Sequence, residues 1–356
     1  MADSTTADST NPQRFPLETL QTALEQILVR NSLFQFDART VSRRLIEADL
    51  YGVPAHGCSR FGELMQSIEL GDIDPRGRVL TLTDSPALAV LDGSRAAGAV
   101  AATKACDAAV QKARETGLAA VVVGNSQSLG SAGLYARIMA GEGMIGICTS
   151  STGGASIAAP GTRSGAVGNS PFAYALPVQD SHPVVFDAAC GMESWSGLRY
   201  LQRLGLPVSV EELWTRSRGS ASSLDEAAVM PPRGGALGFG LSLLCSTLSG
   251  LLAGGRLPIH KTRREAAEDS QHFLLAIRIE AFCDRERFQK ELTSTLNEIR
   301  QLPPIDGNAP VRIPGDREAA AAEENNRLGI PLPQFVVEEL SRLAKKNKVE
   351  FPAPKA

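Results

Sequence analysis

Among the four histidines of the chain, His56 has the neighbours that chemistry requires. It sits in the run YGVPAHGCSRF, between a helix end and Gly57, with Arg60 four residues later. An imidazole gives or takes a proton near neutral pH, and a guanidinium grips a carboxylate through paired N–H donors. Together they can protonate a carbonyl while holding the carboxylate beside it. On spacing alone the same residues also describe an ordinary loop histidine. His260 lies in a polar segment and reads as a surface residue, His182 falls in a turn, and His272 opens a strand and reads as structural. Asp187 closes the apolar run PVVF just before AAC. A carboxylate at the end of a core strand is costly to bury unpaired, so it points to function, to a helix cap or to a salt bridge.

These residues need a frame, and the apolar spacing supplies one. The opening MADSTTADSTNP is polar and of low complexity, so disorder is expected over 1–14. Leu17 to Arg30 and Ala38 to Leu50 carry apolar residues at helical spacing, and Gly52, Pro54 and Gly57 then break the helix into a loop. Phe61 to Glu69 reads as a third helix, completing a helical region over 15–78 on the substrate side. From Val79 the pattern changes to short β-rich runs (VLTLT, ALAVLDG, AAVVVGN, MIGICTS) alternating with Ala-rich helices. The clearest unit is a helix from about Ala99 to Thr116, a stop at Gly117 and a buried strand from Leu118 to Val123. Gly-rich loops follow the strands: GNSQSLGSAG, STGGASIAAPGTRSGAVGNSP and PPRGGALGFG. Such loops let backbone amides approach a phosphate-bearing cofactor. A helix over Leu241–Ala253, a strand through HFLLAIRIEAF and a helix over Arg285–Arg300 complete an α/β core over 79–300. A loop with helices from Glu318 and Pro333 onward makes up 301–356 and is expected to pack back on that core.

Composition excludes several classes. Of 356 residues, 36 are Lys or Arg and 39 are Asp or Glu, so no net field draws the chain to nucleic acid. The basic cluster Lys345, Lys346 and Lys348 reads as a solvated helix end. The six cysteines, at 58, 106, 148, 190, 245 and 283, never form C-x-x-C. With no signal peptide they read as reduced thiols of a cytoplasmic protein, and metal-ligand spacing is missing. The longest apolar stretch, Leu241 to Gly255, is too short to span a bilayer. No P-loop and no G-x-S-x-G elbow is present. Gly238-Phe239-Gly240 imitates the start of a Rossmann fingerprint, but Leu243 holds the third glycine position, which disfavours a standard Rossmann dehydrogenase.

Taken in order, the segments resemble the type 2 malate/L-lactate dehydrogenase family. EADLYGVPAHGCSRF is similar to its Ala-Asp-x-x-Gly-x-x-Ser-His-Gly-x-x-Arg signature through Ala48, Asp49, Gly52, His56, Gly57 and Arg60. NSQSLGSAGLYA resembles its Asn-Ser-x-His-x-Gly-x-x-Gly-x-Tyr loop. GNSPFAYALP, VVFDAA, GGALGFGLSLL and VRIPGDREAAAAEENNRLGIPL resemble later segments, and the likeness runs from about residue 15 to 343. The resemblance implies a nicotinamide-binding α/β fold that is not Rossmann. It would have a large mixed, mainly antiparallel sheet flanked by helices, with a helical domain from both chain ends and usually a homodimer. It implies NADPH or NADH as cofactor, a small carboxylate substrate (a 2-oxo or cyclic 2-imino acid reduced at C2), and neither nucleic acid nor membrane as partner. His56 would be the proton donor, with Asp187 as a second catalytic candidate; Arg60 would hold the substrate carboxylate and Asn169 would face the substrate. The cofactor would be lined by Ser128, Leu129, Gly130, Ser131 and Ala132, by Asp187, Ala188 and Ala189, and by Arg312, Pro314, Gly315, Asp316 and Arg317. Arg317 would suit a 2′-phosphate.

Departures from the family pattern keep a second reading open. Ala55 replaces the Ser before the histidine, Ser128 a second His, Asn169 and Ser170 a Thr-Asn pair, and Leu237 a Lys associated with cofactor binding. A member that had lost hydride transfer, as a lyase, an isomerase or a non-catalytic binding protein, would carry such changes.

Overall fold

A computed structural model describes residues 12–261, 270–305 and 310–355. Of the expected disordered segment 1–14, residues 1–11 lie outside the described residues. Within the same segment, Gln13 and Arg14 belong to strand β1 (Gln13–Phe15) rather than to a disordered stretch. The chain divides into two compact units. One comprises 1–76, 195–209 and 321–356, and the other 77–194 and 210–320.

The first unit is helical, built on α1 (Leu17–Arg30), α2 (Gln35–Leu50), α3 (Phe61–Glu69), α6 (Trp195–Arg203) and α10 (Gln334–Lys346). Strand β1 pairs antiparallel with β11 (Ile330–Leu332), bringing the two ends of the described chain together. Helix α1 buries Leu20, Ala23, Leu24, Ile27 and Leu28, the spacing of a single apolar stripe. It packs on α2 and α10, and α10 also packs on α3. The C-terminal helix therefore joins the N-terminal helices in this unit. The α/β core is likewise interrupted, since 195–209 belongs to this helical unit.

The second unit holds β2 (Leu80–Ser85), β3 (Leu88–Asp92), α4 (Gly98–Thr116), β4 (Leu118–Ser126), α5 (Ala132–Gly141) and β5 (Met144–Thr152). They are followed by β6 (Ile157–Ala158), β7 (Gly165–Val167), β8 (Pro171–Leu176), β9 (Val184–Ala189), α7 (Ala236–Ser246), β10 (Ser270–Arg278) and α8 (Arg285–Arg300). Helix α9 (Asp316–Leu328) starts in this unit and ends in the helical one. Seven strands form one sheet in the order β2-β3-β4-β10-β5-β8-β9. Only β3 and β4 pair parallel, joined through α4; every other neighbour is antiparallel. The sheet is thus mixed and mainly antiparallel, as the family resemblance implies, and its order is not that of a doubly wound nucleotide fold.

Small side chains let the helices approach this sheet closely. Ala101, Ala105, Ala109 and Ala113 of α4 recur every four residues and join Tyr135, Ala136 and Met139 of α5 in one core. Val121 and Val123 of β4, Leu274 and Ala276 of β10, and Ala173 and Ala175 of β8 complete it. Helix α4 stops where expected: Gly117 adopts φ +86° and its N–H bonds to Ala113 O at 2.9 Å. Helix α7 begins five residues before the expected Leu241 and passes into a π-helical turn over Thr247–Leu251. No described helix is long and apolar enough to cross a membrane.

Candidate active site

In the helical unit, α2 runs into two consecutive 3-10 turns, Pro54–His56 and Cys58–Arg60, before α3 begins at Phe61. His56 closes the first turn and Arg60 the second, so both are set by backbone geometry one turn apart. His56 N–H bonds to Val53 O at 3.0 Å and Arg60 N–H to Gly57 O at 2.9 Å. Both side chains are half-buried. Arg60 pairs with Glu63 at 2.5 Å. Burial, opposed by Glu63, lowers the Arg60 pKa, and the neighbouring charges of Arg199 and Arg203 lower it further. A guanidinium still remains a cation at any physiological pH.

The turns are anchored from below by Asp49, near the C-terminal end of α2 and only 3% exposed. Its Oδ2 accepts the Cys58 N–H at 2.7 Å. Burial raises this carboxyl to about 7, because desolvation disfavours the charged form more than the hydrogen bond restores. Gly57 is required at the crossing: a Cβ there would lie 2.2 Å from Asp49 Oδ1. Asn325 of α9 donates to the Asp49 backbone carbonyl at 3.2 Å. Sequence reasoning passed over Asp49 as a site residue. The available signal was its register, since it falls three residues after Ile46 and seven after Ser42 on the buried face of α2.

The cofactor candidates lie in the α/β unit. Asp187 sits inside β9 rather than at its end. Its Oδ2 accepts the Ser131 hydroxyl and the Gly133 N–H, each at 2.7 Å. It therefore caps α5 from another strand, supplying the acceptor that the helix's own N-cap residue does not provide. Gly133 is needed for that approach, as a Cβ would stand 2.9 Å from the Asp187 Cβ. Of the loop expected to line a cofactor, Ser128 is exposed and Gly130 half-buried, but Leu129 and Ala132 point into the hydrophobic core. The apolar side chain of Leu129 gains more there than at a solvated ligand, while its carbonyl accepts the Tyr135 hydroxyl at 2.9 Å. Only backbone groups of those two residues are left for a ligand.

The second cofactor loop is braced internally. Asp316 accepts from Arg300 at 2.7 and 3.2 Å, from the Ile313 N–H at 2.9 Å and lies 2.9 Å from His182 Nε2. These partners, Arg300 first, hold its carboxyl well below the usual carboxylate range. Asp316 thus shapes the loop rather than meeting a ligand with a spare oxygen, whereas Arg312, Pro314 and Arg317 are exposed. Asn169 is committed to the backbone of the 190–193 loop, accepting from Gly191 N–H at 2.9 Å and donating to Glu193 O at 2.7 Å. Ala188 and Ala189 are half-buried on β9. Leu237, standing where the resemblance has a lysine, is 75% exposed.

His272 is fully buried, between Ser126 and Ser150 at 3.0 Å each. Burial pushes its pKa down to about 3, so it is neutral and structural, as expected of it. His260 is exposed, and His182 serves the Asp316 brace. None of the six cysteines forms a disulfide, and five of them are buried. Among the described residues no group of three His, Cys, Asp or Glu side chains could hold a metal ion. The α/β unit offers groups of the kind an anionic dinucleotide needs: as donors the loop amides around Gly130 and the exposed guanidiniums of Arg312 and Arg317, and as an acceptor the carboxylate of the exposed Asp187.

The chain thus combines a mixed sheet, ordered unlike a Rossmann fold, with a helical unit that carries His56 and Arg60. The profile of the malate/L-lactate dehydrogenase family matches residues 15–341, and the chain belongs to that family. It is 33% identical over 354 residues to a malate dehydrogenase of Pyrococcus abyssi, covering 96% of both chains. It is 28% identical to an L-sulfolactate dehydrogenase of Methanocaldococcus jannaschii, covering 82% of this chain and 84% of that one. The solved malate dehydrogenase of Pyrococcus horikoshii superposes with a TM-score of 0.87 at 28% identity, over 96% of this chain and 97% of that one. The chain is an NAD(P)-dependent oxidoreductase.

Proposed function

We propose that this enzyme reduces a small 2-oxo acid at C2, with His56 as proton donor and Arg60 as the carboxylate anchor, acting as a cytoplasmic homodimer. The observation that carries the reading is the placement of His56 and Arg60 on adjacent 3-10 turns fixed to a buried carboxylate. A reduced nicotinamide, when bound, supplies the hydride that ends on C2. His56 in its protonated form donates to the carbonyl oxygen as charge develops there, and its neutral form takes the proton back in the oxidising direction. Arg60 exchanges Glu63 for the substrate carboxylate and so orients the carbonyl relative to the imidazole. Asp187, Ser128 and the loop amides hold the dinucleotide, and Arg312 and Arg317 favour the additional phosphate of NADPH over NADH.

Fluorescence titration with NADPH and NADH separately, followed by turnover on a panel of 2-oxo and cyclic 2-imino acids, tests this reading. Saturable binding with reduction of a 2-oxo acid supports it. Failure of both dinucleotides to bind at millimolar concentration would transfer support to redox-neutral chemistry at His56, the reading that the exposed Leu237 favours.

A further inference from the structure

His272 stands where the sheet releases the candidate cofactor loop. Its ring is fully buried on β10 and joins the strands on either side. Nε2 lies 3.0 Å from Ser126 Oγ on β4, and Nδ1 lies 3.0 Å from Ser150 Oγ on β5. Ser150 gives its own proton to the Gln271 carbonyl at 3.0 Å and so accepts from the ring at Nδ1. Nε2 is then left to accept the Ser126 hydroxyl. Ser126 is the last residue of β4, and the loop from Gln127 to Ser131 starts directly after it.

The ladder between β4 and β10 is irregular at this point. His272 pairs with Val123 and Ser270 with Ser126, so Gly124 and Asn125 together oppose Gln271 alone. Such a bulge bends its strand and interrupts the regular backbone bonding. Asn125 takes the bend at φ +48°, a left-handed conformation that Asn adopts more readily than most residues. Its Nδ2 donates to Asp92 Oδ1 at 2.8 Å. The bond between Ser126 and His272 therefore fixes the strand end just past the point where the register shifts.

We infer that His272 is a positioning residue for cofactor binding, holding Ser126 so that the amides of the 128–130 loop face one direction, a role that rests on the dinucleotide reading above. Ser150 holds the far side of the same ring, with Gln271 and Thr152 as its other partners. One imidazole thus makes one bond that bears on the loop and one that does not.

The test compares Ser126→Ala with Ser150→Ala, since each removes one bond of 3.0 Å to the same ring. Two quantities are read: hydrogen–deuterium exchange of the backbone amides, and the dissociation constants for NADPH and NADH. Ser126→Ala is expected to speed exchange over 127–131 while residues 121–123 stay as protected as in the wild type. It is also expected to raise the dissociation constant of whichever dinucleotide binds by about fivefold or more. Ser150→Ala should leave both readings within about twofold of the wild type. His272→Gln, whose amide reaches the Nε2 position, should bind as the wild type does. His272→Asn, whose amide reaches only the Nδ1 position, should behave like Ser126→Ala. If either His272 variant fails to fold, the serine pair decides. Equal effects of the two serine variants, exchange that rises through β4 as well as the loop, or an unchanged dissociation constant in Ser126→Ala overturns the inference. If the wild type binds neither dinucleotide, the dinucleotide reading has failed, and exchange alone decides whether His272 positions the loop. Acceleration confined to 127–131 in Ser126→Ala supports that role, and equal exchange in the two serine variants overturns it.

Discussion

The Asp49 carboxylate accepts the amide N–H of Cys58 at 2.7 Å, and this bond ties α2 to the turn midway between His56 and Arg60. The carboxyl is raised to about 7 from an ordinary value of 3.8 by burial. Between those values the folded protein holds a proton that the unfolded chain has released. The stabilisation is complete below about pH 4 and is lost as pH rises through 7, a difference on the order of 4 kcal/mol. Asp49→Asn keeps an acceptor for Cys58 but cannot ionise. Its melting temperature, measured from pH 5 to 8 beside the wild type, is expected to gain on the wild type as pH rises. A constant difference across that range would contradict the account.

Gly57 faces Asp49 with no room for a side chain, since a Cβ would approach Oδ1 to 2.2 Å. Gly57→Ala is expected to displace the turn and to lower turnover by about 100-fold, the scale of a misplaced catalytic group. Circular dichroism should show the helices retained. Wild-type kinetics in that variant would mean the turn adapts freely.

Arg60→Ala is expected to raise KM for the acid substrate by about 10- to 100-fold, because a charge-assisted pair is lost while the proton donor remains. Steady-state kinetics separate the two parameters. A fall confined to kcat would show that Arg60 acts on the transition state rather than on the bound carboxylate.

Asp187→Ala removes the acceptor for Ser131 and Gly133 at the start of α5. Loss of such a cap costs about 0.5–2 kcal/mol, readable by chemical denaturation, and the dissociation constant for the dinucleotide should rise in the same variant. An unchanged dissociation constant would leave Asp187 with the cap alone.

Local pattern carried much of the fold. Helices were expected over Leu17–Arg30, Phe61–Glu69 and Arg285–Arg300 and occupy those bounds; the signal is clearest in the first, which buries Leu20, Ala23, Leu24, Ile27 and Leu28 as one stripe. What escaped was non-local. That 195–209 leaves the α/β unit to join the N-terminal helices depends on packing that no window of sequence contains. Asp187 read as a strand end because its partners, Ser131 and Gly133, lie more than fifty residues away. Leu129 and Ala132 fell among the cofactor candidates because a Gly-rich loop conceals which side chains turn inward. That His56 and Arg60 lie close along one loop was legible because both residues occupy one short segment.

The central claim is that His56 supplies the proton. The most direct measurement compares wild type with His56→Ala in two assays on the same preparation: dinucleotide binding by fluorescence, and reduction of the best 2-oxo acid. The account predicts unchanged dinucleotide affinity with kcat lower by about 10²- to 10⁴-fold. A His56→Ala enzyme that binds the dinucleotide and still reduces the acid at the wild-type rate would contradict it.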